Sequence, residues 1–298
     1  MLGGASRRRL VRAAAAAAAL LAAAVVATPA GATTTGQITG RIDGFAPQTN
    51  RSLTIGFSAL GLPAGQSIDE GSVKVTVDGT EVGSTAVPAS QSTDLPRRVT
   101  VLTIDTSGSM AAQGFVEPAK SAARAYLDGV PDDVLVGLVS FNSSPRVVVE
   151  PTTDHAQVTA ALDTLEFRGG TALFDAVIQA TRLLGTDGIR SQLLLSDGKD
   201  VDSANSEANA VASLTKSRST LDAVALGPEV DLAQLNALAA AGSDGLVVEA
   251  GDSQTLTDVF TAAAQAQAGA VAITADVPEG LAGKSVNVVV TATAGGQT

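Results

Sequence analysis

Apolar and small or polar residues alternate over 53–57, and Val73, Val75 and Val77 fall on one strand face opposite Lys74 and Thr76. Asp78-Gly79 supplies a tight turn into 80–82. Residues 37–95 therefore read as strands, closed by a Ser/Pro/Thr-rich connector over 88–96. At Arg98 the rhythm changes. The short apolar run 99–104 fits a strand buried on both faces. Strands are expected again at 134–141, 191–196, 221–226 and 246–249, with helices at 116–127, 171–184, 205–216, 231–241 and 253–266. Asn142, Ser143, Ser144 and Pro145 turn the second of these strands into an antiparallel partner at 147–150, and Asp154 caps a helix running to about 165. Beyond Gly269 the period of two returns at 271–277 and at Val286, Val288 and Val290.

Strands alternating with helices predict a doubly wound, mostly parallel α/β sheet with helices on both faces. The terminal β segment of about 30 residues cannot bury a core alone, and the leading one is marginal. Both flanks are expected to join in one smaller β-sandwich, with the α/β unit inserted into it. The expected divisions are 1–32, 33–96 (first part of the sandwich), 97–267 (α/β unit) and 268–298 (second part). A further strand beyond the last residue is expected from the way the pattern stops just past a strand.

The first segment reads as an export signal. Arg7, Arg8, Arg9 and Arg12 precede an apolar stretch over 13–27, followed by Pro29, Ala30, Gly31 and Ala32. That stretch is shorter than a spanning helix needs. Cleavage is expected after Ala32, giving a secreted or extracytoplasmic protein. Any membrane attachment would come from outside this chain. Loss of the four arginines would take the net charge from −11 to −15.

Composition excludes several chemistries. With no cysteine among 298 residues there is neither a disulfide framework nor a thiolate metal site. With one histidine, His155, a Ser-His-Asp mechanism would have to use that residue. His155 is expected to be exposed at a helix start, without a catalytic role. The negative charge makes nucleic acid an unsuitable partner.

Three segments fall where an open parallel sheet binds ligands, beyond the carboxyl ends of its strands. They are Asp105-x-Ser107-x-Ser109, Gly169-Gly170-Thr171 and Ser196-Asp197-Gly198. Their side chains offer carboxylates and hydroxyls, a hard oxygen set suited to Mg²⁺. Simpler readings exist for each: an Asx or Ser turn at Asp105, a helix cap at Thr171, and a plain turn at Asp197. Asp175, Asp200 and Asp202 read as solvated surface acids.

Taken together, in order, the three motifs resemble the metal-ion-dependent adhesion site of the von Willebrand factor type A domain, over about residues 97–267. The resemblance implies hydroxyl ligands from Ser107, Ser109 and Thr171 and carboxylates from Asp105 and Asp197, bound directly or through water. It also implies a Mg²⁺ ion, with Mn²⁺ as a substitute, and an open coordination position that takes an Asp or Glu carboxylate of a protein partner. The function so implied is a non-enzymatic, secreted or cell-surface adhesion module. The alternatives are a metal-stabilised assembly component of the envelope and, less favoured, a metal-dependent hydrolase. In relatives with an inserted domain, ligand binding can shift the last helix, which here is the one at 253–266.

Overall fold

The computed structural model describes residues 38–48, 51–63, 65–228, 230–281 and 284–295. The expected export signal lies outside these residues. The chain begins with β1 (Thr39–Pro47) and β2 (Ser52–Leu60), then β3 (Lys74–Val77), β4 (Thr80–Val82) and β5 (Ser84–Pro88). The α/β series follows: β6 (Arg98–Asp105), α1 (Gly108–Ala112), α2 (Val116–Gly129), β7 (Leu135–Phe141), β8 (Pro145–Thr152), α3 (His155–Asp163) and α4 (Leu173–Leu184). It continues through β9 (Ile189–Ser196), α5 (Glu207–Ser217), β10 (Thr220–Leu226), α6 (Leu232–Ala241), β11 (Val247–Ala250) and α7 (Ser253–Ala268). The strands β12 (Val271–Asp276) and β13 (Val288–Thr291) close the described chain.

The central sheet has the order β11-β10-β9-β6-β7-β8 and is parallel except for β8, which pairs antiparallel with β7. Alternate residues of its strands feed opposite cores. Leu193, Leu195, Val224 and Leu226 pack with α2, α3 and α7 through Tyr126, Leu162 and Phe260. Leu194, Leu221, Ala223 and Ala225 pack with α4, α5 and α6 through Val177, Leu214 and Leu238. This two-faced burial explains the near-continuous apolar strands in the sequence. Winding starts at β6, runs outward to β7 and β8, then returns to β9 on the other side of β6. The carboxyl ends of β6 and β9 thus flank the switch point, where ligands bind in sheets of this kind.

The fold class is the expected one, with the flanking strands forming two antiparallel sheets. One has the order β1-β2-β12-β5, so the late strand β12 lies between two early ones. The other has the order β13-β3-β4. Ile55, Phe57, Val75, Ile273 and Val288 meet in their shared core. Neither flank could bury these side chains without the other.

Local chemistry sets the helix ends. Asp154, Asp231 and Asp252 each accept a hydrogen bond from the first turn of their helices, and Ser206 and Asn209 form a reciprocal capping box. The helix expected from Thr171 begins instead at Leu173. Ala172 donates its N–H to the Asn142 carbonyl, and the Thr171 carbonyl accepts from Val201 and Asp202, which holds both residues outside the helix.

Candidate metal centre

Asp105 ends β6, fully buried. Its Oδ1 accepts the Ser107 N–H at 2.8 Å, and its Oδ2 accepts the Ser196 hydroxyl at 2.6 Å. That second bond ties the carboxyl end of β6 to that of β9. The chain then turns into α1, a helix not expected from the sequence, which carries Ser109. The Ser107 and Ser109 hydroxyls lie 2.9 Å apart, and Ser109 donates to Asp197 Oδ1 at 2.9 Å. Ser107, Ser109 and Asp197 are thus linked in one chain of hydrogen bonds, and Asp105 is joined to it through the Ser107 backbone.

Thr171 reaches the group from a separate loop. It is buried, and a Cβ built on Gly198 would stand 3.7 Å from its hydroxyl, so Thr171 borders the Ser196-Asp197-Gly198 turn. Its loop is anchored on both sides. The Gly169 carbonyl accepts from Gly108 at 2.9 Å, Arg168 donates to the Thr106 carbonyl at 2.8 Å, and Gly170 donates to the Ser143 hydroxyl at 3.0 Å. Gly169 has φ +80°, a conformation glycine adopts without strain.

Two carboxylates occupy this pocket without a cationic neighbour. Asp105 and Asp197 are both fully buried, and no Lys or Arg forms an ion pair with either among the described residues. Burial pushes the Asp105 carboxyl up to about 6, against the bonds from Ser196 and Ser107, with the charge of Asp197 adding to the rise. Burial likewise raises Asp197 against the bond from Ser109. Such a pair calls for positive charge. The donors are oxygens throughout, two carboxylates and three hydroxyls, and their chemistry fits a small hard cation. Asp105, Ser107, Ser109, Thr171 and Asp197 are the residues that would hold it.

Sequence reasoning missed two contributors. Gln113, just beyond α1, donates to Asp197 Oδ2 at 2.9 Å. It stands four residues after Ser109, the spacing that places side chains on one helix face, and this was the available signal. Ser196 was visible in its motif but has the distinct task of securing Asp105.

Other expectations need correction. Thr171 does not occupy the cap position of α4; that position is Ala172, and no side chain of its own caps it. The first turn of α4 is satisfied from the loop after β9, where Asp200 Oδ1 accepts from Phe174 and the Ser203 hydroxyl from Asp175. Asp175 in turn accepts the N–H groups of Ala204 and Asn205 and the Asn205 side-chain amide. Asp175 and Asp200 are therefore partly buried loop fasteners rather than solvated acids. His155 is also only partly exposed, its Nε2 lying 2.8 Å from the Val134 carbonyl.

The chain thus carries a doubly wound α/β sheet with a cluster of carboxylate and hydroxyl oxygens at its switch point. Residues 100–199, which lie within the α/β unit, match the family model described as von Willebrand factor type A domain. A von Willebrand factor type A protein from Catenulispora acidiphila superposes with a TM-score of 0.52 at 22% identity, covering 76% of this chain and 48% of that one. Proximal thread matrix protein 1 from the mussel byssus superposes with a TM-score of 0.50 at 15% identity, covering 70% and 51%. These likenesses show the fold. A UPF0353 protein of Mycobacterium ulcerans is 32% identical over 141 residues, 42% of either chain, and one of Mycobacterium tuberculosis is 31% identical over the same share. The matched stretch thus spans under half the length of these curated relatives. Domains of this type commonly mediate protein interaction and often bind a divalent metal. Among the described residues no helix is long and apolar enough to cross a membrane.

Proposed function

We propose that this protein is a divalent-cation-dependent protein-binding module that works outside the cytoplasm. Mg²⁺ is the assigned ion, with Mn²⁺ able to replace it. The observation that carries this reading is the convergence of Ser107, Ser109 and Asp197 on one hydrogen-bonded set, joined to Asp105 and holding two buried carboxylates without a cationic neighbour. Once bound, the ion supplies the positive charge that those carboxylates lack. Ser107, Ser109 and Thr171 add neutral oxygens, so the centre stays close to neutral overall. A carboxylate of a partner protein can then approach despite the net charge of this chain, and gains a charge-assisted bond in a desolvated site.

Catalysis forms no part of this reading. The sole imidazole, His155, bonds the carbonyl of Val134, which precedes β7 at the opposite end of the strands from Asp105. A general base of that type therefore lies far from the pocket. An export signal over 1–32 accords with work in the envelope or beyond it.

Calorimetric titration of the metal-free protein with MgCl₂, alongside Asp105→Ala, tests the proposal. Saturable uptake by the wild type and a loss of about 100-fold or more in the variant are expected, the larger end of the range that a missing ligand shell partner produces. Equal uptake by both proteins overturns it. Capture of envelope proteins in Mg²⁺ and its loss in chelator distinguishes binding from a purely stabilising ion, which would raise the melting temperature without capturing anything.

A further inference from the structure

At the far ends of β6 and β9 from the candidate metal centre, the sandwich meets the α/β unit around a narrow polar cavity. Its volume is about 20 Å³, and Arg41, Thr100, Tyr126, Ser191, Gln192 and Asp222 line it. The walls come from β1 of the sandwich and from β6, β9, β10, α2 and α7 of the α/β unit, the last through Ala263 and Gln267.

Two of these side chains bring unspent hydrogen-bonding capacity. The Gln192 Oε1 and the Tyr126 hydroxyl are buried and make no hydrogen bond of good geometry among the described protein atoms, although the Tyr126 phenol lies close to the Thr100 hydroxyl. Tyr126 is 1% exposed and Gln192 0%. The other half of the Gln192 amide is committed, since Nε2 donates to the Thr103 hydroxyl at 3.0 Å. That bond fixes the amide orientation and leaves Oε1 as an acceptor. Thr100 and Ser191 are 2.8 Å apart and bonded to each other. Arg41 is held by Asp43 and, through two bonds of 2.9 and 3.0 Å, by Asp222.

A phenol that can donate and an amide oxygen that can accept belong to residues lining one small space, each costing on the order of 1–3 kcal/mol if left unsatisfied. We infer that this cavity is the binding site of a single ordered water molecule, which accepts from Tyr126 and donates to Gln192. The volume selects the occupant, because one water needs roughly 10–15 Å³ of such space. The walls select against ions of either sign. The Arg41 guanidinium disfavours a cation, and the Asp222 carboxylate together with the Gln192 oxygen disfavours an anion. Burial also pushes the Tyr126 phenol up to about 12, so it stays a neutral donor. The remaining donor of the water faces the Thr100–Ser191 pair or Asp222. The water therefore completes the polar seam that Arg41 and Asp222 begin between sandwich and α/β unit.

A crystal structure of the full chain that shows ordered solvent, together with one of Tyr126→Phe, tests this. One water within hydrogen-bonding distance of both Tyr126 and Gln192 is expected in the wild type. The variant is expected to lose that water or hold it at lower occupancy. Its melting temperature is expected to fall by about 2–4 °C, the shift that a single net hydrogen bond makes in a protein of this size. A dry cavity with Tyr126 turned onto the Thr100 hydroxyl overturns the inference. So does an ion in the cavity, or an unchanged water and melting temperature in Tyr126→Phe.

Discussion

Asp105 accepts one backbone and one hydroxyl donor in a pocket that also holds Asp197. On the proposed reading this arrangement favours a bound cation at the expense of the metal-free fold, because a buried carboxylate without a counter-charge is costly. Asparagine is nearly isosteric and keeps the acceptor for the Ser107 N–H. Its amide can donate to Ser196, whose hydroxyl turns to accept. In chelator, Asp105→Asn is therefore expected to melt at or above the wild-type temperature. In saturating Mg²⁺ the order is expected to reverse, since only the wild type gains the binding free energy. Thermal melts of both proteins in the two conditions check it, and a variant that melts well below wild type in chelator shows that the carboxylate is structural. The candidate ligands were legible because each lies in a short motif, at the end of β6 or β9 or, for Thr171, in the loop before α4. Gln113 and Ser143 were not singled out: the spacing from Ser109 puts Gln113 on the same helix face, but its bond to Asp197 and that of Ser143 to Gly170 are tertiary contacts.

Among the elements, α4 depends most on a distant loop. Its N-terminus has no side-chain cap of its own, and residues 200–205 supply what is missing. Asp175 fastens that loop from within the first turn. Partial burial raises its carboxyl, but the bonds from Asn205 and the N–H of Ala204 outweigh this and hold it below the ordinary value. A carboxyl depressed in the folded state stabilises fully above its unfolded pKa of about 3.9, and that contribution is lost as pH falls through the folded value. Asp175→Asn is therefore expected to melt below wild type near about pH 7, and the gap is expected to close below about pH 3. Melting curves across that range check the sign; a gap that widens with acid contradicts it. The helix itself was legible from its apolar spacing, and so were the strands, whose periods of two or continuous apolar runs survive in the fold. Its first residue was not, because backbone bonds from Asn142, Val201 and Asp202 override the local signal at Thr171.

For the molecule as a whole, the joining of the two flanks in one β unit followed from the inability of either to bury a core, whereas the place of β12 between β2 and β5 was not legible. The way in which sandwich and α/β unit seat on one another was not legible, because it rests on side chains that look ordinary in sequence. Ile189 at the start of β9 packs where Gly44 and Gly56 leave room; a Cβ on Gly56 would stand 2.4 Å from its Cδ1.

Arg41 is the charged bond in this seam. It is 6% exposed, its charge is held firmly by Asp222 and Asp43 although burial opposes it, and it bridges β1 to β10. Truncation to alanine would leave Asp43 buried without its partner and Asp222 half-released, a situation that typically costs about 3–5 kcal/mol. A change confined to the sandwich core would lower the stability of the sandwich alone, whereas the loss of Arg41 removes a link to which both parts contribute. Arg41→Ala is therefore expected to split a single calorimetric transition into two, the sandwich melting first because its core is the smaller. Arg41→Ala/Asp43→Asn/Asp222→Asn, which removes the stranded charges along with the link, is expected to recover part of the lost stability while keeping the two transitions apart. One sharp transition in both variants means that the apolar seat around Ile189 is sufficient to couple the two parts. Two transitions already present in the wild type mean that they were never coupled.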